Sequence, residues 1–390
     1  MEFSFEELVS ALEGEVVINN DYKKFKCTCI DNRKVTEDCI FFAIKGEKFN
    51  ANNVAIDVLE KGASIAVVDE VNFKKEDAMG KGIVIKVDNT VKSMLKLANF
   101  YRRKLNLKVI GVTGSCGKTS TKDLIAAVLS TKYNVFKTEG NFNSEIGLPL
   151  MILKLTSKHD VAVLEMGMSS LGEIELLADV ARPDIGVITN IGLCHLENLK
   201  TRDGILKAKT EMFHNLKPDG TAILNGDDDM LIKVRGREKE YGLPDGVNVI
   251  WYGTDEKCDI YAKNIEILGI DGVKCTIYTP KGSFDAVISV PGKHMVYNAM
   301  AAAAVGIIRN MSLENIKRGI ENFIPTGKRM ERFTLSNGAV VIDDSYNANP
   351  VSVKAAIDVL SCCEGKKCAV LGDMFELGDF AKDMHREIGL

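Results

Sequence analysis

The sharpest chemical feature of the sequence is the run Gly114-Ser115-Cys116-Gly117-Lys118-Thr119-Ser120, entered by the apolar stretch LKVIGVT and left by KTSTKDLIAAVLS, a helix-forming stretch. Glycines let a backbone approach phosphate oxygens without a Cβ in the way, and N–H groups at a helix start form an anion nest. In that setting Lys118 neutralises the β- and γ-phosphates of a nucleotide, and the Thr119 hydroxyl holds Mg2+. Val112 stands where the usual G-x-x-x-x-G-K-[ST] loop has its first glycine, so the spacing is a variant. The plainer reading is a lysine-bearing tight turn; the flanking strand and helix favour the nucleotide.

Glu165 closes the apolar run DVAVLEMG, where phosphate-loop enzymes keep a second metal-associated carboxylate. Its plain alternative is a solvated acid at a strand end. His195, in NIGLCHLE, follows another apolar run and falls at the carboxyl edge where α/β sites gather. Taken alone, a histidine there is more often a hydrogen-bonded structural residue. Lys207 and Lys209, in ILKAKTEMF, lie on one helical stretch and read by default as solvated charges. No serine, cysteine or histidine constellation suggests a covalent nucleophile. Cys116 sits in the loop at a helix N-terminus, where a thiol pKa can fall; its plain alternative is a loop thiol of no consequence.

These residues need elements to position them. Residues 1–88 alternate short apolar runs with turns: CIFFAIKG (39–46), a helix-like NVAIDVLEKGA (53–63), SIAVVD (64–69) and GIVIKVD (82–88). A helix follows at 93–105. The runs at 107–130, 160–167, 184–192 and 221–228 alternate with helical stretches, which predicts a mostly parallel sheet with both faces covered. Between 247 and 290 the runs crowd together and read as a hairpin appendage, closed by the alanine-rich helix 298–310. The third part, from 326, reads as a strand and turn at 339–350, a helix at 351–362, a strand at 366–373 and a helix that stops at residue 390. Without a cap or closing strand, the chain is expected to be shortened at its C-terminus.

With 390 residues, 46% hydrophobic and 27% charged, the chain is expected to hold two or three globular domains. A formal net charge of −4 gives no basic footprint, which argues against a nucleic acid partner. No run approaches the ~20 apolar residues of a membrane helix, and the start MEFSFEELVSALEG lacks a signal pattern. The ten cysteines form no C-x-x-C pair or zinc spacing and read as reduced thiols of a cytoplasmic protein.

At this point the motifs resemble a family. TGSCGKTS, EMGMSSLGEIELLADVARPDIGVITNIGLCHLE, AKTEMF, NGDDD and PGKHMVYNAMAAAA follow, in order, the central domain of the Mur ligases. These are ATP-dependent amide-forming enzymes of peptidoglycan precursor synthesis. The resemblance runs from DNRKV (31–35) to LGDMFELG (371–378). GNFNSEIGLPLMIL, RMERF and DDSYNANPVSVKAAIDVL are similar to members that join D-alanyl-D-alanine to UDP-N-acetylmuramoyl-tripeptide.

The resemblance implies an α/β, three-domain architecture. Residues 1–88 would form a UDP-sugar-binding domain, 89–325 an ATP-binding phosphate-loop domain, and 326–390 an incomplete, Rossmann-like ligase domain. It implies ATP bound by Gly114 to Ser120 with Asn298 near the adenine, and Arg329 and Asp344 reaching the phosphates and ribose. It implies two Mg2+ ions held by Thr119, Glu165, His195 and Lys209, the last as a CO2-derived carbamate. Asn32, Arg33, Gly46 and Asn143 match the region around the UDP-sugar peptide. The catalytic set would be Lys118, Glu165, His195, Lys209 and Arg329, acting through an acyl phosphate in a cytoplasmic monomer. Asn32 stands where the family usually has serine, Asn50-Ala51-Asn52 replaces D-G-H, and Met295 and Ser144 each replace an asparagine. The alternatives are another Mur-family amino-acid-adding ligase, a nucleotide-gated binding module, or a shortened form that binds nucleotide without ligating.

Overall fold

The computed structural model describes residues 3–389, an α/β chain that divides into two compact units. The first comprises the described residues up to Leu107, with Asn141–Lys158 and Asp179–Ala181. Its five strands, β1 (Glu15–Ile18), β2 (Cys27–Cys29), β3 (Cys39–Phe42), β4 (Ile65–Val68) and β5 (Ile83–Lys86), lie in the order β1-β5-β4-β3-β2. All neighbours are parallel except β1 with β5. CIFF and IAVV are buried at every position, as expected of parallel strands covered on both faces. The helix Thr90–Lys104, capped by the Asn89 side chain, receives the 141–158 stretch through the Tyr101 hydroxyl, which donates to Leu155 O at 2.7 Å.

The second unit is built on nine strands: β6 (Lys108–Thr113), β7 (Val135–Lys137), β8 (Val161–Glu165), β9 (Ile185–Ile188), β10 (Thr221–Asn225), β11 (Asn248–Gly253), β12 (Ile260–Ile267), β13 (Val273–Thr279) and β14 (Gly282–Ile288). Their order is β14-β13-β12-β11-β10-β9-β6-β8-β7, parallel from β7 through β12. β6 sits between β8 and β9, so the chain runs to one side of it first and then to the other. Ligands of open α/β sheets gather outside the carboxyl ends at such a reversal. The helices Lys118–Ser130 and His294–Ile308 cover this sheet; Ala299 to Ala304 are buried throughout.

Two expectations change here. The 247–290 region is no appendage, because β11 pairs parallel with β10 from Asn248 to Tyr252 and β12–β14 continue the same ladder. Alternating Val273, Cys275 and Ile277 then face the shared core. Nor is there a strand at 366–373. The third part has one antiparallel pair, β15 (Glu331–Thr334) with β16 (Val340–Asp343), and the helices Pro350–Ser361 and Ala381–Gly389. Among the described residues no strand flanks 366–373, and Val370 is 94% exposed; an apolar run without a ladder partner has nothing to satisfy its backbone as a strand.

Candidate active site

The loop between β6 and the helix Lys118–Ser130 requires two of its glycines. Gly114 has φ +150°, and a Cβ there would run into Thr189 Oγ1; Gly117 has φ +76°, and a Cβ would come 3.2 Å from Asn298 Oδ1. The polar pair that follows β9 clamps the loop. Ser115 N–H donates to Asn190 O (3.0 Å) and Cys116 N–H to Asn190 Oδ1 (2.9 Å), while Cys116 O accepts from Thr189 Oγ1 (2.6 Å) and Asn190 Nδ2 (3.0 Å). Two N–H groups of the expected nest are therefore engaged by Asn190, leaving the first turn of the helix, whose N–H groups lack intrahelical partners, to face an anion. Ser115 Oγ is buried with no hydrogen-bond partner among the described residues, a donor suited to phosphate. Lys118 Nζ donates to Gly114 O at 2.8 Å. Sequence reasoning missed Thr189 and Asn190; their signal was a polar pair closing an apolar strand at the same sheet edge.

Beside the loop, the Thr119 hydroxyl donates to Glu165 Oε2 at 2.8 Å. β6–β8 pairing sets Glu165 opposite Val112, so the strand ladder itself delivers the carboxylate to the loop. Glu165 is 2% exposed, and its N–H donates to Thr138 Oγ1 (2.9 Å). Lys122, also buried, lies one helical turn beyond Lys118 and was not singled out in the sequence. Its Nζ donates to Thr138 O (2.9 Å) and stands 3.4 Å from Asp123 Oδ1 and 3.9 Å from Glu165 Oε2. Asp123 is also held by Lys137 (2.8 Å) and by the Thr326 hydroxyl (2.7 Å).

The donor set fits Mg2+. Among the described residues no three His, Cys, Asp or Glu side chains converge into a protein cage. A buried hydroxyl–carboxylate pair beside a phosphate loop is instead what Mg2+ uses when substrate phosphates supply its other ligands.

Lys207 is exposed, as read, but Lys209 is only 1% exposed. Two residues along a helix turn through roughly 200°, so one lysine of the pair faces water and the other the core. Burial, helped by the Lys118 charge, brings the Lys209 pKa down to about 7. His195, at φ +53° before the short helix Leu196–Leu199, has Nδ1 2.6 Å from Glu376 Oε2. Burial lowers its pKa; Glu376 opposes that, and Lys209 and Lys118 add to it. Lys118 thus lies near enough to act on both Lys209 and His195, and Lys209 on His195.

A cavity opens on the other side of the loop, lined by Gly117, Ser120, Asn298, Arg329, Asp344 and His294. Asn298 Oδ1 accepts from the Thr121 hydroxyl (3.1 Å), and its Nδ2 faces Met295 Sδ (3.5 Å), so the methionine at the family's asparagine position still contacts this side chain. The Arg329 guanidinium lies over the Tyr346 ring at 4.0 Å. Asp344 accepts from Met330 N–H (3.2 Å), and burial raises its pKa. Cys116 Sγ contacts Asn349 Oδ1 at 3.3 Å. Its thiol pKa is raised, not lowered, because burial outweighs the nearby lysine; the expected activation by the helix terminus is overturned. His294, which the sequence reading passed over, is also held below its ordinary pKa by burial.

Asn32, Arg33, Gly46 and Asn143 all belong to the first unit. Arg33 is exposed and pairs bidentately with Asp31 (both contacts 2.9 Å), holding that carboxyl at about 2. Asn32 O accepts from Lys61 Nζ (3.2 Å), Gly46 N–H from a tight turn donates to Phe49 O (2.9 Å), and Asn143 N–H donates to Asn141 O (2.7 Å). The replaced D-G-H run is a clamp: Asn52 Nδ2 donates to Asp69 Oδ1 (2.6 Å), and its Oδ1 accepts from the N–H groups of Asp69 and Glu70 (3.1 and 3.3 Å).

Residues 112–306 match the Mur ligase middle domain, and 328–390 the Mur ligase glutamate ligase domain. The UDP-N-acetylmuramoyl-tripeptide–D-alanyl-D-alanine ligase of Bacillus subtilis (strain 168) is 40% identical over 361 residues, covering 92% of this chain and 76% of that protein. The Escherichia coli (strain K12) protein of the same name is 35% identical, over 92% of this chain and 77% of its own. A crystal structure of MurF from Acinetobacter baumannii superposes with a TM-score of 0.90 at 32% identity, covering 98% of this chain and 82% of that one. MurF from Thermotoga maritima, solved in complex with ADP, gives 0.81 at 29% identity, over 93% and 81%.

Proposed function

The chain belongs to the Mur ligase family and carries its three-domain α/β architecture, and from that premise we propose that it is the ATP-dependent ligase that joins D-alanyl-D-alanine to UDP-N-acetylmuramoyl-tripeptide in peptidoglycan precursor synthesis. The observation that carries the chemistry is the contact of Thr119 with Glu165 beside a glycine loop bearing Lys118.

An amide does not form spontaneously from a carboxylate and an amine in water, so the carboxylate is activated first. Magnesium-bound ATP supplies a transferable phosphoryl group and the divalent charge that neutralises its oxygens. The tripeptide's terminal carboxylate takes that group as an acyl phosphate; the dipeptide amine attacks the acyl carbon, and phosphate leaves. The protein's part is positioning and charge neutralisation. Gly114 to Ser120 cradle the phosphates, with Lys118 moving from Gly114 O to the β- and γ-oxygens. Thr119 and Glu165 would hold one metal ion, and His195 and Lys209 would face a second. Asn298 lies against the adenine, and Arg329 and Asp344 reach the phosphates and ribose.

For Lys209 the lowered pKa supports carbamylation, because only the neutral amine adds CO2. At a pKa of about 7 roughly half the side chains are neutral at pH 7, against about one in three thousand for an ordinary lysine. The neutral amine would add CO2 and release a proton, and the resulting carbamate would give Lys209 an anionic oxygen able to ligate Mg2+. Residues 1–88, with Asn32, Arg33 and Gly46, bind the UDP-sugar end, joined by Asn143; 89–325 bind ATP; 326–390 bring Arg329 and Asp344. The enzyme works as a cytoplasmic monomer, where its nucleotide substrates are made. No helix among the described residues is long and apolar enough to cross a membrane.

The test is phosphate release from ATP with UDP-N-acetylmuramoyl-tripeptide and a panel of amine acceptors. The reading expects release only when the tripeptide and D-alanyl-D-alanine are both present. Release with single amino acids instead would indicate another amide ligase of the family, and equal release without acceptor a nucleotide-gated module.

A further inference from the structure

His195 and Glu376 come from opposite ends of the second unit. His195 follows β9, whereas Glu376 lies in the LGDMFELG loop of the third part. Both hold left-handed backbone conformations, φ +53° and +61°, which non-glycine residues adopt only where their surroundings enforce it. The loop around Glu376 is pinned on both sides. Met374 and Leu377 are buried, Met374 N–H donates to His385 Nε2 (3.0 Å), and a Cβ on Gly378 would come 3.6 Å from the Glu197 Cα. The carboxylate is thereby delivered to the imidazole at 2.6 Å.

At that distance a carboxylate oxygen requires a hydrogen between the two atoms, so Nδ1 is the donor, and in the neutral ring Nε2 keeps its lone pair. Metal-binding histidines are commonly oriented in this way, their second nitrogen donating to a carboxylate that fixes tautomer and ring plane. Glu376 is about half exposed, and an ion pair there adds little to fold stability. Its geometry suits orientation better than stabilisation.

We propose that Glu376 is a positioning residue that holds His195 in the Nδ1–H tautomer, with Nε2 presented to the metal at the phosphate loop. Because Glu376 rides on the third part, docking of that loop is what completes the metal-facing histidine. The proposal rests on the reading of His195 as a metal-facing residue.

Two readouts test it on the whole chain. The first is Mn2+ binding in the presence of ADP, followed by the loss of the free-ion electron paramagnetic resonance signal. Glu376→Ala is expected to raise the half-saturating Mn2+ concentration about 10–100-fold, with ADP affinity in the absence of metal unchanged. Glu376→Gln, whose amide oxygen still accepts from Nδ1–H, is expected to recover most of the loss. The second is the ring 15N signature of His195, identified by its disappearance in His195→Ala. It should report Nδ1–H in the parent and in Glu376→Gln, and Nε2–H in Glu376→Ala. Parent-like Mn2+ binding in Glu376→Ala, while His195→Ala is weakened, overturns the proposal and leaves the metal reading standing. If His195→Ala also binds Mn2+ like the parent, the metal reading falls and takes the proposal with it.

Discussion

The Thr119 hydroxyl donates to Glu165 Oε2 across 2.8 Å, joining the start of the phosphate-loop helix to the end of the neighbouring strand. Neither residue is near the other in sequence; the parallel pairing of β6 with β8 brings them together. Both side chains are buried, so the contact is made in low dielectric, where a divalent cation bridging them and a phosphate would be held strongly.

Lys118→Ala is expected to reduce ATP turnover by at least ~10³-fold, since the lysine neutralises charge that grows in the transition state. Among the described residues its amine bonds carbonyls of its own loop, Gly114 and Ser115, so the melting temperature should shift by little. Steady-state phosphate release and a thermal melt check both halves.

Lys122→Met should behave in the opposite way. It removes the ammonium that bonds Thr138 O and stands between Asp123 and Glu165, leaving buried acceptors short of a donor. The expected loss is roughly 2–4 kcal/mol, toward the low end for a broken buried pair because Asp123 keeps Lys137 and Thr326. Urea unfolding measures it; an unchanged midpoint would count against the network.

Lys209 makes folding depend on pH. Its ordinary value of 10.5 falls to about 7 in the folded chain, so between those values the unfolded state binds more protons and stability rises with pH. Below about pH 7 the penalty is complete. Lys209→Met removes it, and the variant should exceed the parent in stability most below pH 7, by at most about 5 kcal/mol at 1.36 kcal/mol per unit, converging near pH 10.5. The same variant should be inactive, whereas Lys209→Ala should regain partial activity with added short carboxylates that replace the carbamate oxygens.

Cys116 should react slowly with thiol-alkylating reagents. Burial raises its pKa and its sulfur contacts Asn349 Oδ1, so little of it is thiolate, whereas Cys362 and Cys368 are exposed and Cys116 only partly so. Mass spectrometry of a timed alkylation should find those two modified first. Early labelling of Cys116 would contradict its raised pKa.

What was legible in the sequence follows the range of the forces involved. Gly117 and Lys118 could be read directly because a left-handed turn at a helix start dictates residue type locally. Apolar runs gave β3 to β6 and β8 to β10 because parallel strands are buried on both faces, whereas the short, partly exposed β1, β2 and β7 carry no such run. Lys209 could not be told from Lys207 without the phase of its helix against the core. Lys122 and Glu376 were invisible, and Asn190 showed only as half of a polar pair closing a strand, because each acts on a residue far along the chain, through the sheet order or through the docking of the third part. The 366–373 run failed as a strand for the same reason, since a strand is defined by its neighbour.

The central claim is that the loop at 114–120 delivers a phosphoryl group to a carboxylate. It is tested most directly with UDP-N-acetylmuramoyl-tripeptide carrying 18O in its terminal carboxylate, turned over with ATP, Mg2+ and D-alanyl-D-alanine. Passage through an acyl phosphate predicts one 18O atom in each phosphate released, alongside the amide product. Phosphate released without 18O would mean that water, not the carboxylate, had received the group, and would contradict the account.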